Sequence, residues 1–161
     1  MNKFEYFDVT ADIGFYAYGN NLNEAFENAG LAIFNIISDT SNIKAEIEKT
    51  FEITSEDEVS LLYDYLEELL FLHEIDFMLF SYFKIEIKKD SKYYLRANIK
   101  GESIDWNKHE RKSEIKAITY HLMSVDVSDK VKLQIKIGRA HVWTPVTRQS
   151  RMPSSAWKKK K

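Results

Sequence analysis

Asp12 is the one carboxylate in a segment, Val9 to Tyr18, that is otherwise uncharged and rich in aromatics. Such a segment, with glycines at Gly14 and Gly19, suits a strand that turns tightly. A charge inside it demands a partner, because burying an unpaired carboxylate is very costly. A cationic side chain, a metal ion or a set of backbone amides would each serve. Lys116, within Glu114-Ile-Lys-Ala-Ile-Thr-Tyr-His121, is a candidate cation. Alternation puts it on one strand face with Ile118, Tyr120 and Leu122, where a lysine either snorkels or pairs with a carboxylate.

The four histidines do not share metal-ligand spacing. His73 falls on the apolar side of a predicted helix near its C-terminus, which suits a structural role on backbone carbonyls. His109 lies in a polar stretch and is expected to be solvated. His121 shares a predicted strand face with Ile115, Ala117, Met123 and Val125 and is expected to be a hydrogen-bonded core histidine. His141 lies in the anomalous C-terminal segment described below. Phosphate loops, dinucleotide fingerprints and nucleophile elbows are missing from the sequence. A metal-dependent hydrolase would need a second carboxylate near Asp12 and a water-activating base, and the spacing supplies neither. No residue is assigned a catalytic role.

The 161-residue chain is long enough for one domain with a real core. It has no cysteine, which removes disulfides, thiolate metal sites and thiol nucleophiles. No apolar run is long enough to span a bilayer, and the first residues lack a signal-peptide pattern, so a cytoplasmic protein is expected. The formal net charge of −2 conceals an asymmetry. Residues 137–161 hold seven basic and no acidic residues, leaving 16 basic and 25 acidic in residues 1–136, a net of −9. A body that acidic is repelled by phosphate backbones, so direct nucleic-acid binding is not expected, and it favours a basic protein partner or cations.

The composition breaks at Ile137. From there to Thr147 no period is sustained, and the remainder reads as loop closed by four lysines. The segment matches a common sequencing adapter read in one frame with TGA decoded as Trp, and a poly-A run would supply the lysines. The alternative is a genuine basic tail that binds nucleic acid or membrane. We read residues 1–136 as the domain and 137–161 as a non-native, disordered tail. Lys136 would then straddle the junction.

The elements that must position Asp12 and Lys116 follow from periodicity. Strands are predicted at Phe4 to Asp8 and Asp12 to Tyr18. A helix capped by Asn21, with Glu24 three residues on, ends near Ser38. A half-buried strand covers Glu46 to Thr54. Ser55-Glu-Asp-Glu58 reads as a second capping box opening a helix through His73. Strands follow from Phe77, from Tyr93, over Ile115 to Val127, and over Val131 to Ile135. The fold class is α+β: a largely antiparallel sheet with two main helices packed on it, in a single domain.

A resemblance adds to this reading. Thr10-Ala-Asp-Ile-Gly14, Ala17-Tyr-Gly19, Glu24-Ala-Phe-Glu-Asn-Ala29, Leu61-Leu-Tyr-Asp64 with Leu66-Glu-Glu-Leu-Leu70, Gly101-Glu102 and Ile115-Lys-Ala-Ile-Thr-Tyr-His121 together resemble the archease family, in order, over residues 4–135. The resemblance implies a non-enzymatic cytoplasmic accessory protein. Such proteins support an RtcB-type RNA ligase in tRNA splicing, promoting its guanylylation and turnover. A second family reading is a chaperone-like modulator of tRNA cytosine methyltransferases. The resemblance also implies a divalent-cation site, with calcium as one occupant, whose ligands are the motif Asp, here Asp12, an Asp just before the C-terminus and the terminal residue. Lys116 matches a lysine associated with activation of the partner. The family's terminal Asp and Ile or Val fall here at about Lys136 and Ile137. A lysine cannot ligate a cation, so the metal site is expected to be incomplete, with Lys116 as the substitute partner of Asp12.

Overall fold

In a computed structural model, residues 2–9 and 12–139 are described. Hydrophobic alternation and helical spacing produce strands β1 (Phe4–Val9) and β2 (Asp12–Gly19), helix α1 (Leu22–Ile37), β3 (Ile47–Ser55), α2 (Glu58–Asp76), β4 (Met78–Lys89), β5 (Tyr93–Ser103), β6 (Ile115–Asp126) and β7 (Val131–Arg139). A 3₁₀ turn at Thr40–Asn42 follows α1. The α+β class is observed. The antiparallel strands divide into two sheets, β1-β2-β7-β6 (sheet A) and β3-β5-β4 (sheet B).

Helix α1 begins where its sequence dictates: the Glu24 amide donates to Asn21 Oδ1 at 2.9 Å, and the Asn20 amide donates to Glu24 Oε1 at 2.6 Å. It packs against β2 and β7 of sheet A and β4 of sheet B. Phe26, Ile33 and Phe34 are wholly buried along it. Gly30 lets this helix meet its neighbours closely, since a Cβ there would stand 2.6 Å from Tyr65 Oη and 2.8 Å from the Phe83 ring. Tyr65, wholly buried on α2, donates its hydroxyl hydrogen to Phe26 O at 3.0 Å, so its polar end is satisfied inside the core.

Helix α2 starts two residues later than the predicted capping box. Asp57 is the cap, accepting from the Ser60 amide at 2.8 Å. Ser55 stays in β3 and donates instead to Asp64 Oδ2 at 2.8 Å. Both residues can cap; pairing in β3 carries Ser55, which lies opposite Tyr93, past the point where it could.

Strand β7 runs beyond the predicted domain boundary at 136. Ile137 is buried and pairs with Ile13, and Gly138 lies opposite Asp12. Ile137 completes the inward alternation of Val131, Leu133 and Ile135, which is reason enough for pairing to continue. The rest of the predicted tail lies outside the described residues.

Candidate functional site on the outer face of sheet A

Along β2 the odd positions Phe15 and Ala17 face the core, which turns Asp12, Gly14, Tyr16 and Tyr18 outward. Register sets Asp12 opposite Gly138, and Gly14 opposite Lys136. Both glycines keep the face low around the carboxylate. The Phe7 ring occupies the place a Cβ on Gly14 would need, and Asp12 Oδ1 lies 3.6 Å from where a Cβ on Gly138 would stand. Phe7 packs on Tyr16 with ring centroids 4.8 Å apart, and the Lys132 ammonium stands 4.3 Å from the Tyr16 ring centroid. Tyr18 donates to Glu5 Oε1 at 2.6 Å; desolvation and that carboxylate push its hydroxyl up to about 12.

Asp12 meets a cation, and the cation is Lys136, with Nζ 3.6 Å from Oδ2. The expectation that Lys116 would be its partner is corrected. Ile115 lies opposite Arg139 while Ala117 lies opposite Gly138, so Lys116 is the extra residue of a β-bulge. The bulge also breaks the predicted alternation: Ile118 is buried while Lys116 and Ala117 are both exposed. Asp12, Gly138 and Ala117 form one row across three strands. At roughly 4.8 Å per strand, Asp12 and the bulge are about 10 Å apart. Sheet pairing thus brings Asp12, Lys136 and Lys116 to one open face, with the first two in contact.

A divalent cation prefers several oxygen ligands. Among the described residues no three His, Cys, Asp or Glu side chains converge on a common point. Asp12 offers one carboxylate and faces an ammonium. These residues do not by themselves fit the cation site that the sequence resemblance implies.

Two histidines lie elsewhere than expected. His121 is exposed, not in the core, because register slips a second time between Thr119 and Ser124, with Leu122 at φ 64°. Within that slip, Tyr120 stacks on Tyr63 of α2 at 4.2 Å. His109 is 2% exposed, not solvated. The Asp105 amide donates to its Nδ1 at 3.0 Å, so Nε2 carries the proton and donates to Glu102 Oε2 at 2.9 Å. Glu102 also accepts from the Lys44 amide at 2.7 Å and Lys108 Nζ at 2.6 Å. Burial raises its carboxyl, but these three donors outweigh burial and hold it at about 2. The cluster ties the segment between β5 and β6 to the end of β5. A polar stretch containing one histidine and an acid seven residues back was the only sequence signal for it. His73 does hold a backbone carbonyl, donating from Nδ1 to Met78 O at 2.8 Å.

With this geometry in place, comparison with known proteins is decisive. The sequence profile described as the Archease protein family matches residues 4–137. The chain belongs to the archease family. The "Protein archease" of Methanothermobacter thermautotrophicus is 54% identical over 126 residues, covering 78% of this chain and 89% of that protein. That of Pyrococcus furiosus is 47% identical over 127 residues, covering 78% and 89%. The archease fold is matched as well. The solution structure of Methanobacterium thermoautotrophicum protein 1598 superposes with a TM-score of 0.78 at 50% identity, covering 86% of this chain and 99% of that one. Among the described residues of this archease no helix is long and apolar enough to cross a membrane.

Proposed function

We propose that this protein is a cytoplasmic accessory factor, not an enzyme, that activates an RtcB-type RNA ligase in tRNA splicing by promoting its guanylylation and turnover. The observation that carries the reading is the position of Lys116. It stands exposed on a bulge of an open sheet face, two strands from Asp12 and next to Ala117, which ends the row that Asp12 begins. An exposed lysine on the same open face as a carboxylate supports a reading in which the face contacts another protein. The net charge of −9 over residues 1–136 suits a partner with the basic surface that RNA handling requires. Family membership supports the same reading.

The test is formation of the ligase–guanylate adduct with the cognate ligase. It compares the chain as it stands with a version that carries Lys136→Asp and ends at Ile137. The restored version is expected to accelerate adduct formation, and Asp12→Asn or Lys116→Ala within it to abolish the acceleration. No acceleration by the restored version would sink the proposal. Co-purification with a tRNA cytosine methyltransferase in place of the ligase would favour the chaperone-like alternative.

A further inference from the structure

Helix α2 displays a surface that the Asp12 face does not use. Residues 56–76 hold eight acidic residues and neither lysine nor arginine. Leu62, Leu66 and Leu69 turn inward and are wholly buried. On the opposite side, at helical spacing, stand Glu67, Phe71, Glu74 and Ile75. Phe71 is 55% exposed and Ile75 is 59% exposed. Phe77, just past the helix end, is 69% exposed.

Phe77 supplies an independent observation. It ends α2 in the left-handed conformation, φ 53° and ψ 53°. Glycine is the residue that usually ends a helix this way, and a bulky side chain there is strained. The strain gains nothing for the core, since the ring points to solvent. Strained positions of this kind cluster at contact and switch sites.

We propose that the outward face of α2, centred on Phe71, Ile75 and Phe77, is a docking surface for a protein that presents an apolar groove rimmed by lysine and arginine. The three side chains are the anchors, and Glu67 and Glu74 set orientation against the cationic rim. Charge decides among occupants. A second copy would set one acidic face against another, because a two-fold contact repeats the same patch on both sides. Nucleic acid would meet the same repulsion. Only a basic partner gains from both the apolar anchors and their acidic rim.

The choice of probe rests on the activator reading: the cognate RtcB-type ligase is titrated with the full chain by calorimetry at low and moderate salt, and adduct formation is followed in parallel. Phe71→Ser with Ile75→Ser is expected to weaken binding about tenfold or more, with an unchanged melting temperature because both side chains are exposed. Glu67→Lys with Glu74→Lys is expected to weaken binding similarly and to flatten its salt dependence. Glu48→Lys with Glu86→Lys makes the same charge change on exposed positions of sheet B and is expected to leave binding within about threefold. Equal binding by the α2 variants overturns the docking surface and leaves the activator reading standing. Binding without stimulation by the restored chain sinks the activator reading alone, and the α2 variants still decide the surface. No binding by the unmodified chain overturns both. A dimer in sedimentation that Phe71→Ser with Ile75→Ser dissolves would give the face to a second copy and overturn the proposal.

Discussion

The Lys136 ammonium stands 3.6 Å from Asp12 Oδ2, on the open side of sheet A and two residues along β7 from Asp12's cross-strand partner, Gly138. Both side chains are partly exposed, and the separation exceeds that of a close charge-assisted hydrogen bond. Such a pair contributes on the order of 0–1 kcal/mol to stability. Its consequence is chemical: the carboxylate that would face a cation or a partner is already faced by an ammonium of its own chain.

Replacing Lys136 is therefore expected to change ion binding more than folding. With Lys136→Asp, in a chain ending at Ile137, two side-chain carboxylates and the terminal carboxylate can converge near β2, an all-oxygen set of the kind calcium takes. Calcium is expected to raise the melting temperature of that variant by several degrees, corresponding to about 2.7 kcal/mol at one hundred times Kd. Chelator should reverse the rise. The unmodified chain should show no calcium-dependent shift at the same concentration. A calcium shift of equal size in both chains would show that Lys136 does not oppose the ion.

Asp12→Asn should separate stability from function. Losing a loose, partly exposed ion pair should cost less than about 1 kcal/mol in chemical denaturation. Stimulation of ligase guanylylation by the restored chain should nonetheless fall to background. A large stability loss would mean that Asp12 holds the sheet together, and the functional assay would then be run at a temperature where the Asp12→Asn fold persists.

What the sequence made legible and what it hid divide on physical lines. Every strand and both helices follow from apolar period and caps, since each buries one face and the pattern is local. Asp12 was legible because a lone charge among aromatics has to be answered. Its partner was not, since an ion pair across β2 and β7 depends on register between residues more than a hundred positions apart. Lys116 and His121 were misplaced for one reason: a bulge inverts every later residue of a strand, and β6 has two irregularities that alternation cannot foresee. His109 looked solvated because its immediate neighbours are polar, yet its ring bonds the Asp105 amide and Glu102, four and seven residues back, and the fold buries it there.

The Glu102–His109 cluster makes a prediction about acid. Glu102 is held at about 2, below its ordinary value of 4.5. A carboxyl depressed by folding contributes stability that is fully present above 4.5 and lost as pH falls toward 2. Equilibrium unfolding followed from pH 6 to pH 2 should show a steep loss in that window. Glu102→Gln should be less stable at pH 6 but should lose less over the same interval. His109→Ala, which leaves a carboxylate oxygen short of one donor, should cost roughly 2 kcal/mol at pH 6. Parallel pH curves for Glu102→Gln and the unmodified chain would rule out this carboxyl as a source of the acid sensitivity.

Gly30→Ala should destabilise although alanine is the better helix former. The gain in helix propensity is about 1 kcal/mol. Against it, the new methyl would stand 2.6 Å from Tyr65 Oη, which is fixed by its bond to Phe26 O, and 2.8 Å from the Phe83 ring. Overpacking of this kind costs about 1–3 kcal/mol, so the net change should be a loss. A melting temperature equal to or above that of the unmodified chain would show that α1 and its neighbours can move apart freely.

Phe77→Gly should do the opposite. Glycine takes φ 53° without the steric cost that phenylalanine meets, and the lost ring was mostly in solvent. The left-handed conformation costs a side-chain-bearing residue roughly 1–2 kcal/mol, and glycine gives back part of that through the freedom of its unfolded chain. A net gain of about 0.5–1 kcal/mol is expected in denaturant unfolding, seen as a higher midpoint at an unchanged slope. The Ile104 amide should still donate to residue 77's carbonyl, because that bond is made by backbone alone. If the same substitution also weakens binding to the ligase, the strain at Phe77 is the cost of presenting its ring. A variant that is more stable and binds as well would leave the strained aromatic without a purpose and remove Phe77 from the docking surface.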